Sequence, residues 1–284
     1  MTKRIVLAYS GDLETAVTIT ALAAADQAEV VTLTLDLGAG RDLEEVRDRA
    51  IAAGAARAHV IDAREEFVQD FVLPSLKAGA LRDGRDPMAA LLARPLVHRK
   101  LQQVADIEGA GEVVDRSNVD VNLWGHQAAP RAATKPAEAT PDTPAWLEIA
   151  FEQGVPSAVN GVAMGMTELI ESLSIIARHH GVGRIESGES HIEAPAAVVL
   201  HAAYTALTSS LLTADAARAW RERAAVYADL ISQGKWFTPE REAMDALNAA
   251  ALRNLTGSVR IRLSRASLQI SADEPHPAVA APHR

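Results

Sequence analysis

Apolar runs punctuate the first 115 residues at 4–9, 29–35, 58–61 and, more weakly, 112–114. Each is nearly continuous rather than alternating, which is the pattern of a strand buried on both faces. Between them the apolar spacing changes to the helical period, as in Leu43, Val46 and Ala50 or Phe67 and Phe71, and predicts helices over 14–25, 42–53, 65–77 and 87–107. Gly54 and Gly109 stand near helix ends, where a left-handed residue closes the last turn. Alternation of strand and helix predicts a parallel sheet covered by helices.

The second half reads differently. Residues 126–145 are rich in Ala, Pro and Thr, show no periodicity, and predict a linker. A strand pair follows at 146–151 and 157–160, joined around Gly154-Val155-Pro156. Helices are expected at 166–180, stopped by Gly181, then at 195–212, 216–233 and 239–254, the last with Thr238 as N-cap and Pro239 at its first position. A hairpin at 258–264 and 266–271 precedes a Pro/His/Ala tail, expected to be disordered from Asp273. The fold class is therefore α/β: a parallel-sheet nucleotide-binding domain at 1–115, a junction and linker at 116–145, a second α+β domain at 146–272, and a tail at 273–284.

Composition narrows the function. The chain has 284 residues, 48% of them hydrophobic and only 4% aromatic, so its cores rest on close aliphatic packing. It has no cysteine, which removes thiolate chemistry and Cys-based metal sites. A net charge of −9 gives no footprint for nucleic acid or an anionic membrane. The first residues lead directly into a strand, and no run approaches membrane-spanning length, so a cytoplasmic protein is expected.

The candidate chemistry lies where the first strand ends. Ala8-Tyr9-Ser10-Gly11-Asp12-Leu13-Glu14-Thr15 passes from strand through a Ser-Gly turn into a helix, presenting backbone N–H groups and a positive dipole end to an anion. Asp36-Leu37-Gly38, after the second strand, falls on the same carboxyl edge, where nucleotides lie in such sheets. The turn resembles the S-G-G-x-D-[ST] loop of ATP pyrophosphatases, with Asp12 in place of the second glycine and Glu14 in place of the acid. An ordinary strand-turn-helix corner is the alternative reading of this stretch alone.

The likeness extends along the chain. Ala93-Arg94-Pro95-Leu96, Asn122-Leu123-Trp124-Gly125, Phe151-Glu152-Gln153-Gly154-Val155-Pro156, His180-Gly181-Val182-Gly183-Arg184-Ile185, Glu193-Ala194-Pro195-Ala196 and Trp236-Phe237-Thr238-Pro239 occur collinearly. On these segments the chain resembles the argininosuccinate synthase family. The resemblance implies a nucleotide-binding domain plus a synthetase domain in a homo-oligomer, a tetramer in the family, acting in arginine biosynthesis. It also implies ATP and Mg: MgATP adenylates the ureido oxygen of citrulline and releases pyrophosphate, then the aspartate amine displaces AMP. Nucleotide contacts are then expected at Ala8, Tyr9, Ser10, Gly11, Asp12, Glu14, Thr15, Asp36 and Gly38.

Departures from the family pattern concern its substrate ligands. Between Asp115 and Arg116 the family carries an insert with its H-G-x-T-G-K-G-N-D-x-x-R-F segment, and this chain has no trace of it. Arg82 stands for the citrulline tyrosine, Ala90 for a hydroxyl residue, Asn118 for a serine, Val121 for a glutamate and Ile192 for a tyrosine. The citrulline glutamate aligns loosely with Glu189, and the C-terminal arm that ties the tetramer is replaced by the short tail. Arg82, Asn118 and Glu189 are thus the candidate substrate contacts.

Asp12 admits two readings. Beside a phosphate its carboxylate repels, by about 4 kcal/mol for unit charges 4 Å apart at an effective dielectric near 20. Alternatively, Asp12 and Glu14 hold a magnesium ion that bridges the phosphates. Arg82 is either a solvated loop residue or a ligand for carboxylate or phosphate. His179-His180 suits the negative end of a helix, His191 and His201 read as structural, and Trp124, Trp146, Trp220 and Trp236 as core or interface anchors. Two function classes stay open: an ATP-dependent ligase on small amino-acid substrates, native or altered in acceptor, and a catalytically silent paralogue serving as a binding or assembly module.

Overall fold

The computed structural model describes residues 3–117, 119–128, 140–187 and 190–271. The chain divides into two compact units, one of residues 1–67 and 92–123, the other of 68–91 and 124–284.

Unit 1 is built on β1 (Arg4–Ala8), α1 (Leu13–Asp26), β2 (Glu29–Asp36), α2 (Leu43–Ala52), β3 (Arg57–Asp62) and the short α3 (Arg64–Phe67). After α4 (Leu73–Ala78), which belongs to unit 2, the chain forms α5 (Ala89–Glu108) and returns through β4 (Glu112–Val114) and β5 (Val121–Asn122). The sheet runs β3-β2-β1-β4, all parallel, with Ile5 level with Val30 and Glu112. Ile5, Val6 and Leu7 are fully buried, as a central strand covered on both faces requires. Leu7, Ile19, Val30, Val46 and Ala50 form the core between sheet and helices.

In unit 2 the predicted helix over 65–77 is interrupted. A π-helical turn at Val68–Val72 precedes α4. Pro74 has no N–H to give the carbonyl one turn back, and the ladder widens ahead of it. The helix predicted from residue 87 starts at Ala89, because Met88 has φ +55° and its N–H goes to Asp86 Oδ1 (2.8 Å).

The remaining elements of unit 2 are β6 (Gly125–Ala128), β7 (Ala145–Glu152), β8 (Val155–Val159), β9 (Val162–Ala163), α6 (Met166–His179), β10 (Arg184–Ser187), β11 (Ser190–Glu193), α7 (Pro195–Leu211), α8 (Ala214–Ser232), α9 (Pro239–Leu252), β12 (Gly257–Ser264) and β13 (Ser267–Ile270). Five antiparallel strands are ordered β13-β12-β7-β8-β9. Leu147, Ile149 and Phe151 alternate with more exposed neighbours on β7, as do Val259, Ile261 and Leu263 on β12, which is the signature of a sheet with one covered face. The face of α6 carrying Leu169, Ile170, Leu173 and Ala177 is buried with it. Phe151, Tyr204 and Trp220 continue the core as successive ring contacts at 5.8 and 6.0 Å, and Trp220 Nε1 donates to Lys77 O (2.8 Å).

Several sequence expectations are corrected. Gly125–Ala128, placed in the linker, is a strand paired to β11, and β10 and β11 themselves were not anticipated. Residues 129–139 of that linker, and the tail from residue 273, lie outside the described residues. The turn between β7 and β8 is Gln153-Gly154, so Val155 and Pro156 belong to β8. Thr238 occupies the N-cap position of α9, but its hydroxyl donates to Lys235 O (3.1 Å) instead of capping. Trp146 is 57% exposed, unlike the other three tryptophans. His180 is buried, and that burial, reinforced by neighbouring His179, pushes its pKa down, so it does not serve the helix end as a cation.

Candidate functional site

The strand-to-helix turn of unit 1 is built by burial on one side and hydrogen bonds on the other. Tyr9 N extends the sheet pairing to Leu33 O (2.9 Å), and its ring, 3% exposed, joins the core. Burial pushes the phenol pKa up. Gly11 has φ +84°, and a β-carbon there would lie 2.9 Å from Val46 Cγ2, so both the turn and the packing against α2 require glycine. Asp12 then caps α1, with φ −86° and ψ 168°.

The Asp12 carboxylate takes the donors of the turn. Its Oδ1 accepts from Thr15 N (2.8 Å) and Thr15 Oγ1 (2.8 Å), and its Oδ2 accepts from Ser10 Oγ. Burial pushes this carboxyl up, but the hydrogen bonds from Ser10 and Thr15 and the charge of Arg41 outweigh it and hold it below the usual carboxylate range. Two guanidinium groups brace the same turn: Arg41 Nη1 donates to Ser10 O (2.6 Å) and Arg49 Nη1 to Gly11 O (3.0 Å). Sequence reasoning missed both, because they lie more than thirty residues downstream and follow no motif. Glu14, in the first turn of α1, is exposed.

Asp36 and Gly38 lie on the same carboxyl edge. Asp36 Oδ1 accepts from Gly38 N (2.9 Å), and its Oδ2 is 3.4 Å from Arg64 Nε. The strand order reverses between β1 and β4, so the ligand crevice expected of such a sheet lies at their carboxyl ends. There the chain following β4 closes over the edge. Leu123 N donates to Leu37 O (2.8 Å), and Val119 is 6% exposed. The cavity left among Tyr9, Ser10, Leu37, Arg41, Val97 and Val119 is about 30 Å³, room for a water. Small-molecule pockets are typically about 300–1,000 Å³.

The turn thus brings Ala8 to Thr15 together with Asp36 and Gly38. Arg82 belongs to unit 2, where its guanidinium is paired with the buried carboxylate of Asp86 and the two residues exchange backbone hydrogen bonds of 2.9 and 3.0 Å. Asn118 and Glu189 lie outside the described residues. Among the described residues no group of three or more His, Cys, Asp or Glu side chains could hold a metal ion, and no helix is long and apolar enough to cross a membrane.

Unit 2 carries a larger groove of about 800 Å³, lined in part by Arg85, Arg184, Glu186, His201, Thr205 and Ile270. Burial pushes the His201 pKa down to about 4, so its imidazole is neutral at pH 7.

Comparison with known proteins covers both units. Residues 4–118 match the model described as the arginosuccinate synthase N-terminal HUP domain, and residues 130–279 match the arginosuccinate synthase C-terminal domain. The chain is 31% identical to an argininosuccinate synthase of Dehalococcoides mccartyi over 349 residues, covering 95% of this chain and 86% of the relative. Against the argininosuccinate synthase of Symbiobacterium thermophilum identity is 34%, with 93% and 86% covered. A matched span of 349 residues exceeds the 284 of this chain, so the relatives carry stretches it lacks. With a parallel four-stranded sheet ending in a Ser-Gly turn, and matches that run through both halves, the chain belongs to the argininosuccinate synthase family.

Proposed function

We propose that the protein is an ATP-dependent carbon–nitrogen ligase of the argininosuccinate synthase type, acting on small amino-acid substrates. The reference reaction joins citrulline and aspartate with ATP to give argininosuccinate, AMP and pyrophosphate; an altered acceptor is the variant that the substitutions at Arg82 and Ala90 favour. The observation that carries the reading is the Ser10-Gly11 turn at the carboxyl end of β1, set in a chain that matches both family domains. ATP would lie against Ser10, Gly11 and Thr15, with magnesium held through the phosphates themselves. As the turn stands, Asp12 takes Ser10 Oγ, Thr15 N and Thr15 Oγ1, and the cavity beside it is about 30 Å³, so a nucleotide has to displace that carboxylate and lie over the exposed side of the turn.

That occupied turn favours a second reading, the catalytically silent paralogue that keeps the fold as a binding or assembly module. Calorimetric titration with MgATP, followed by a pyrophosphate-release assay with citrulline and aspartate, separates the two. The ligase reading expects nucleotide binding and acceptor-dependent release. Release with citrulline identifies the reference reaction; release only with another amino acid identifies a changed acceptor. If the wild-type protein and Asp12→Gly both fail to bind MgATP, the ligase reading falls and the module remains. Self-association, which the family resemblance implies, is read by sedimentation of the same preparation.

A further inference from the structure

We infer that Asp12 is a resident anion in the phosphate turn of unit 1, a side chain that occupies the donors a polyphosphate would need and so sets how tightly the turn can bind one. The inference rests on the nucleotide reading of that turn and goes beyond the expectation of repulsion alone. Repulsion requires only a carboxylate near the phosphates; here the carboxylate sits in their place, with Thr15 N, Thr15 Oγ1 and Ser10 Oγ all directed to it.

Three further features support this assignment. The backbone at Asp12 is extended, at φ −86° and ψ 168°, the usual N-cap conformation, which Asn or Ser would serve as well, so capping alone does not demand a carboxylate there. Arg41 and Arg49 hold the carbonyls of Ser10 and Gly11; Arg49 is shared with Glu45 at 3.6 Å, so Arg41 and the positive end of α1 are what favour an anion at the turn. Asp12 supplies an anion to that position from within the chain. Finally, the cavity beside the turn, among Tyr9, Ser10, Leu37 and Arg41, is about 30 Å³, while Asp12 itself is exposed, so an incoming anion meets the carboxylate from solvent. An incoming polyphosphate must displace the carboxylate and take over its donors, while Arg41 stays to neutralise the added charge.

The competing account makes Asp12 an ordinary helix cap with no bearing on ligands. Magnesium pyrophosphate is the probe, titrated calorimetrically into the wild-type protein and into Asp12→Asn and Asp12→Gly. Asn keeps the cap on Thr15 N–H without the charge, and Gly removes the side chain altogether. Asp12→Asn, which leaves Thr15 N engaged, is expected to gain only what removal of the charge gives; Asp12→Gly, which frees the donors, is expected to bind pyrophosphate at least tenfold more tightly than Asp12→Asn, and adding Arg41→Ala to Asp12→Gly is expected to cancel most of that gain. An Asp12→Gly variant that melts as a folded protein and binds pyrophosphate no better than Asp12→Asn overturns the inference. Variants that gain pyrophosphate affinity yet still refuse MgATP leave the resident anion standing and remove the nucleotide from the proposed function.

Discussion

Gly183→Ala is expected to destabilise the protein by about 3 kcal/mol or more, the sum of backbone strain and overpacking. Gly183 has φ +115°, an angle that L side chains rarely adopt, and a β-carbon there would lie 2.3 Å from Pro195 Cα and 2.7 Å from Pro195 N. Those are backbone atoms, and Pro195 opens α7, whose Ala196, Ala197, Val199 and Leu200 are buried, so the obstacle has little room to retreat. Ala194 N also donates to Gly183 O (2.8 Å), which pins the two segments together. For a unit of this size about 3 kcal/mol lowers the melting temperature by roughly 6–12 °C. Gly161→Ala is the control. Its φ is +78°, but nothing lies within 4 Å of its added β-carbon, so it should cost only the backbone term, about 1 kcal/mol. Equal melting temperatures for the two variants would remove the packing explanation.

The sequence made the frame legible and the contacts within it much less so. The strands of unit 1 were readable because a central parallel strand is largely apolar, as Ile5-Val6-Leu7 is throughout and Val30 to Leu35 is except for Thr32 and Thr34. The strands Arg184–Ser187 and Ser190–Glu193 were not, since each is four residues long and polar enough to pass for loop. The same contrast holds at the site. Ser10, Gly11 and Thr15 were identifiable because strand, turn and helix follow one another along the chain. Asp12 stood out as a departure from the family loop, but its contacts depended on where the side chain turned. Turned away from the helix, it would have met a phosphate or a metal ion; folded back over the first turn, though still exposed, it caps α1 and engages Ser10 Oγ and Thr15. One-dimensional reasoning weighed only the first arrangement. Arg41 and Arg49 were beyond its reach, because they meet the turn through carbonyl oxygens and leave no side-chain pattern. Arg82 illustrates the opposite error of emphasis: considered as a free cation for substrate, it is paired with Asp86 four residues on.

The opposite edge of the unit 1 sheet yields the second large effect. Glu108, the last residue of α5, has a side chain only 2% exposed and is held by His59 Nε2 at 2.8 Å and Arg57 Nη1 at 2.9 Å, with Arg4 Nη1 at 3.6 Å. A carboxylate so buried stays charged only because it is paired. Burial pushes its pKa up, but His59 and Arg57 outweigh burial and leave it below the usual carboxylate value. A depressed folded pKa means that the network stabilises above the unfolded pKa, near 4.3, and that this contribution is lost as pH falls through the folded value. The double variant Arg57→Met, His59→Leu removes both hydrogen-bond partners of the carboxylate and leaves only Arg4 Nη1, at 3.6 Å. Removing partners of a buried charge costs about 3–5 kcal/mol, and Arg57 is 64% exposed, so its share is screened by water and about 3 kcal/mol is expected at pH 7. In the variant burial is no longer outweighed, the pKa of Glu108 rises, and protonation on acidification relieves the penalty. Urea midpoints taken from pH 7 downward should therefore show the gap between wild type and variant at its widest near neutrality and closing below about pH 4. A gap that is independent of pH would mean that the two side chains act through packing alone and that Glu108 is not what they hold in place.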